Sequence, residues 1–144
     1  MKVYISGRNK NVDKKEIRAA IKFYGKMLLS ERLSDKIKVF VKCDEEEDGG
    51  SAGPIDDIRR PREFEIYVNP LMGKRRQLIT LAHEMVHVKQ FANDELKYNV
   101  RRKADKWQGN YISREVDYFD KPWEIEAFGR ELGLYVRYMS QRKK

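Results

Sequence analysis

Cysteine is nearly missing from this chain: Cys43 stands alone among 144 residues. No internal disulfide can form, which excludes a disulfide-stapled secreted scaffold and fits a reducing, cytoplasmic compartment. Long hydrophobic runs are missing too. No stretch approaches the ~20 consecutive apolar residues of a membrane span, so no membrane partner is expected. The opening Met1-Lys2-Val3-Tyr4-Ile5-Ser6 lacks the apolar region of a secretory signal. There are no internal repeats, and the length suits a single domain, 1–144.

What is present is enough for one small core. Hydrophobic residues make up 40% of the chain, and six Phe, eight Tyr and two Trp supply large side chains, too many for a disordered chain. Charge is unbalanced: 31 Lys and Arg against 23 Asp and Glu give a formal +8. Such a surface attracts polyanions, which makes nucleic acid a candidate partner. The basic clusters Arg59-Arg60, Lys74-Arg75-Arg76, Arg101-Arg102-Lys103 and Arg142-Lys143-Lys144 are scattered, and no DNA-reading motif joins them.

The pattern of apolar residues predicts an α+β domain. Lys2 to Ser6 alternates as a short strand. Asp13 caps a helix running to about Leu33, with Ile17, Ala20, Ile21, Tyr24, Leu28 and Leu29 at helical spacing. Ile37, Val39 and Val41 mark a second strand. Asp44 to Pro54 joins five consecutive acids to Gly49, Gly50 and Gly53, which is loop composition. Phe64, Ile66 and Val68 mark a third strand, ended by Asn69-Pro70. A helix follows over roughly Lys74 to Ala92. Between Asn93 and Phe119 a short helix is expected near Glu95 to Lys106, then a turn at Gln108-Gly109-Asn110. Lys106 to Tyr111 can also form a hairpin. Pro122 opens a last helix reaching about Met139.

The chain's two histidines lie four residues apart in His83-Glu84-Met85-Val86-His87. On a helix, positions i and i+4 share a face, so both imidazoles can reach one ion. Glu84 is turned about 100° away and lies beside such an ion, placed to take a proton from water. Zinc is the natural ion for neutral imidazole. A catalytic zinc takes three protein ligands, and no third histidine exists. The third must be a carboxylate or be absent. Asp94, Glu95, Asp105, Glu115, Asp117, Asp120, Glu124, Glu126 and Glu131 all lie downstream.

The motif His83-Glu84-Met85-Val86-His87, followed by a helix opening Pro122-Trp123-Glu124-Ile125-Glu126-Ala127, resembles the gluzincin metalloproteases. It is similar above all to minigluzincins and to SprT-like domains of phages and microbes. The resemblance covers about Phe64 to Glu131. It implies a minimal zincin-like domain, in which a small, mostly antiparallel or mixed sheet packs with an N-terminal helix, the active-site helix and a Glu-bearing C-terminal helix. It implies a zinc-dependent peptidase with one ion, held by His83, His87 and a Glu followed by Ala, which is Glu126, 39 residues after His87. Glu124 is the alternative, although a first-turn acid also stabilises a helix N-terminus. Glu84 would be general base. An edge strand, Phe64, Ile66 and Val68, would bind an extended peptide by strand addition. Tyr118, Tyr111 and Arg114 are candidate donors to an oxyanion. Two features depart from the pattern. The SprT-like proteases that act on DNA use a third histidine, and the residue four beyond Glu126 is Arg130 rather than Asp, with Glu131 next. The alternative function is a non-catalytic, zinc-braced basic domain that binds nucleic acid or a protein partner.

Overall fold

The computed structural model describes residues 1–142; Lys143 and Lys144 of the last basic cluster lie outside them. It is α+β. Strand β1, Lys2–Ser6, leads to helix α1, Lys14–Leu28, whose N-cap Asp13 accepts a hydrogen bond from the Glu16 N–H. The helix stops short of Leu33. Leu29 is extended, and Ser30 caps a separate turn, α2, Glu31–Ser34, by accepting from the Leu33 N–H. A serine that caps a new turn ends the old helix.

Strands β2, Lys38–Cys43, and β4, Glu63–Val68, fall where the alternation puts them. Between them the loop composition hides a further strand, β3, Gly50–Pro54. Its small residues owe their conformation to pairing with β4, from Gly50 opposite Val68 to Pro54 opposite Phe64. The sheet order is β1-β2-β4-β3. β1, β2 and β4 are parallel and only β3 is antiparallel. The sheet is mixed, as expected, but its parallel pairs outnumber the antiparallel one, because α1 returns the chain from β1 to a parallel neighbour. The substrate-strand expectation is corrected here. Phe64, Ile66 and Val68 are fully buried on an interior strand hydrogen-bonded on both sides, so β4 has no free edge to offer. The edge strands are β1 and β3, and β3 is the one beside β4.

Helix α3, Lys74–Ala92, is buried nearly all round. It packs against α1, α4, β3 and β4, so it runs through the core rather than over it. Leu78, Leu81, Met85, Val86 and Val88 meet Ile17, Ile21 and Tyr24 of α1, the sheet residues Val39, Val41 and Ile66, and Trp123 and Leu134 of α4 in one cluster.

The helix expected near Glu95 to Lys106 is absent. A second sheet stands there instead: β5, Leu96–Arg101, β6, Ala104–Trp107, and β7, Asn110–Ser113, antiparallel in that order. Asp94, Asn99 and Lys103 take positive φ, which no helix interior tolerates. The hairpin between Lys106 and Tyr111 does form, turning on Gln108 (φ 47°) and Gly109 (φ 86°). A 3-10 turn at Tyr118–Asp120 then feeds α4, Pro122–Arg142. Among the described residues, no helix is long and apolar enough to cross a membrane.

Candidate metal centre

On α3 the rings of His83 and His87 lie 4.9 Å apart, both buried. Their Nε2 atoms converge on one carboxylate oxygen, Glu124 Oε1, at 3.0 and 3.2 Å. The Tyr118 hydroxyl donates to the same oxygen at 3.1 Å. The opposite side of each ring is also engaged. His87 Nδ1 lies 2.8 Å from Gln90 Oε1, and the Gln90 amide nitrogen donates to the Trp123 carbonyl and to Glu126. That network leaves Gln90 Oε1 as an acceptor, so His87 Nδ1 carries a proton; Nε2 donates to Glu124 when the ring is doubly protonated and offers a lone pair when the ring is neutral. His83 Nδ1 faces Glu131 Oε1 at 3.7 Å, and Phe128 packs edge-on against the His83 ring.

This arrangement corrects the carboxylate assignment. Glu126, the expected ligand, points away from the histidines and is tied to Lys89 Nζ (2.8 Å), Gln90 and Arg130. Burial alone would raise its pKa, but the Lys89 and Gln90 hydrogen bonds hold it below the ordinary value. Glu124 is the carboxylate that meets both rings. Burial opposes its ionisation as well, yet the hydrogen bonds from the two histidines outweigh it and bring its pKa down to about 2. Glu124 in turn raises the pKa of His87, against the lowering effect of burial.

Two imidazoles and a carboxylate make a donor set that could hold a metal ion. Ligands about 2.1 Å from a tetrahedral ion are roughly 3.4 Å from one another, somewhat more than the 3.0 and 3.2 Å between Glu124 and the imidazoles. An imidazole lone pair facing a carboxylate oxygen is unfavourable unless a proton or a metal cation lies between them. Comparison with known proteins finds no matching family model, no similar curated protein and no similar solved structure. The site therefore stands on its own geometry.

Glu84 is buried beside the pair; one donor atom from each of His83, Glu84 and His87 lies within 4.8 Å of the others. Burial lifts its carboxyl to about 7, with Glu124 and Glu47 adding to the rise and the two histidines opposing it. It lines a cleft of about 800 Å³ together with His83, Gly50, Thr80, Tyr118, Phe128 and Glu131. Gly50 shapes this wall. A Cβ there would lie 2.5 Å from Thr80 Cγ2 and 3.3 Å from Glu84 Oε2, so only glycine lets β3 approach α3 this closely.

Of the other candidates, Tyr118 reaches the site and Tyr111 does not: it lies on β7 beneath Arg101. Arg114 pairs with Asp105. The acidic run Asp44 to Asp48 leads into β3, and Asp48 lines the cleft. Gln90 is the site neighbour that the sequence pattern does not single out. Its signal is its place one turn beyond His87 on the same helix.

Proposed function

We propose that this chain is a zinc-dependent peptidase of gluzincin type, its single ion held by His83, His87 and Glu124. The observation that carries the reading is the convergence of two imidazole nitrogens on one carboxylate oxygen, with Glu84 poised alongside in an open cleft. Zinc, when bound, supplies a Lewis acid for the scissile carbonyl and lowers the pKa of a nearby water. Glu84 takes the proton from that water and passes it to the leaving amine; a carboxyl held near 7 suits both duties. Tyr118 offers a hydroxyl to the oxyanion. Gln90 and Glu131 hold the two rings in place. An extended peptide would pair with the open edge of β3, which begins beside Glu84. The lone thiol of Cys43 supports a reducing, cytoplasmic setting.

Metal content of the untagged protein, measured by elemental analysis, tests this reading. We expect one zinc per chain, kept in Glu126→Ala and lost in Glu124→Ala. Glu84→Gln should keep its zinc and lose at least a hundredfold in cleavage of a mixed peptide library. Failure of the wild type to take up zinc would end the proposal. Stoichiometric zinc without cleavage of any peptide would leave the metal as a brace for the fold.

A further inference from the structure

We propose that the outer face of the β5-β6-β7 sheet is a binding surface for single-stranded nucleic acid, independent of the chemistry assigned to the metal centre. Residues paired across strands share a face. Lys97 pairs with Lys106 and Lys106 with Tyr111; Arg101 pairs with Ala104 and Ala104 with Ser113. One face of the sheet therefore carries Lys97, Arg101, Lys106 and Tyr111, with Ala104 and Ser113 on the same face. The other carries Leu96, Trp107 and Ile112, which pack on the core. Asp105, the one acid between Leu96 and Arg114, belongs to the inward set, where it is buried and paired with Arg114 and the Asn99 N–H. The basic face therefore has no acid of its own.

The surface continues beyond the strands. Arg59 shares a groove of about 320 Å³ with Lys97, Lys106 and Tyr111. Asp94 and Glu95 also line it, and Glu95 is bound to Lys89. Arg102 and Lys103 extend the charge round the β5–β6 turn, both exposed. Tyr111 is half exposed, and the Arg101 guanidinium lies over its ring at 3.9 Å, with Lys106 Nζ 5.7 Å away. A tyrosine with cations fixed around it offers a stacking plane and phosphate partners within one site.

This combination selects among polyanions. A duplex keeps its bases stacked inside and cannot use the tyrosine, and an acidic peptide has no flat π-surface to lay against it. A single strand has both an exposed base and a phosphate chain. DNA and RNA share that chemistry, so both belong in the test.

The experiment is fluorescence anisotropy with labelled 15-nucleotide oligo-dT and oligo-U, a duplex of the same length, and competition by poly-glutamate, in low salt. We expect both single strands to bind, the tighter arm naming the natural nucleic acid, with affinity falling steeply as salt rises. Tyr111→Ala should weaken binding at least fivefold and Tyr111→Phe should restore it. Lys97→Glu with Lys106→Glu should weaken it more than tenfold. Lys22→Glu with Lys26→Glu on exposed positions of α1 changes net charge equally and should cost less than threefold. Thermal melts confirm that each variant is folded. The proposal fails if neither single strand binds, if the two charge reversals act alike, if Tyr111→Ala binds as wild type does, or if the duplex or poly-glutamate binds as tightly.

Discussion

At the scale of single residues, Gln90 holds the proposed metal centre together. Its oxygen accepts from His87 Nδ1 at 2.8 Å, and its amide nitrogen bridges the Trp123 carbonyl and Glu126. It thus fixes the tautomer of a histidine on α3 and the entry of α4 at once. Gln90→Ala should weaken zinc binding by ten- to a hundredfold, measured by competition with a chromogenic chelator, while the fold persists. The pair Glu124 and Glu126 shows why the sequence alone does not choose the carboxylate. Trp123, Ala127, Leu134 and Tyr138 form the buried stripe of α4. At about 100° per residue, Glu124 falls on one side of that stripe and Glu126 on the other. Helical periodicity treats them nearly alike. The direction in which α4 crosses α3 decides, and that is a property of tertiary packing.

At the scale of elements, β3 against α3 sets the wall of the cleft. Gly50→Ala would drive a methyl group into Thr80 Cγ2, a stiff β-branched side chain. We expect a loss of about 1–3 kcal/mol, read as a lower melting temperature, with much of it recovered in Gly50→Ala/Thr80→Ser, which removes the opposing methyl. Helix α3 was fully legible in the sequence, because a long periodic stretch between Gly73 and Asn93 states its own limits. β3 was not. Its residues have little strand propensity, and a partner 14 positions away on average defines it. The β5–β7 sheet was hidden for a different reason. Lysine, arginine and alanine read locally as helix formers, and the turn residues with positive φ are Asn, Asp, Lys and Gln rather than an unmistakable run of glycines.

At the scale of the whole molecule, Glu16 joins three helices. From α1 it accepts hydrogen bonds from Tyr138 of α4 and Lys74 of α3 and pairs with Arg142 at the end of α4. Burial would raise its pKa; the Lys74 and Tyr138 hydrogen bonds, with the charges of Lys74 and Arg142, outweigh this and hold it below the ordinary value. A carboxyl lowered in the folded state adds stability above its unfolded pKa, and that stability disappears as pH falls through the folded value. Glu16→Gln should therefore cost about 1–2 kcal/mol at pH 7, and the gap to wild type should shrink in thermal melts run in progressively stronger acid.

His87 and Glu124 are 37 residues apart in the chain yet 3.2 Å apart in space. A flexible segment of that length meets its own start only at an entropic cost that grows with the logarithm of its length. Here the middle half of the segment, Leu96 to Ser113, is folded into β5, β6 and β7 between α3 and α4. The small second sheet thus acts as a rigid spacer of fixed span. It holds the distant carboxylate beside the histidines in the folded chain, so that an ion taken up at the proposed centre would meet donors already in place and would have no chain left to order.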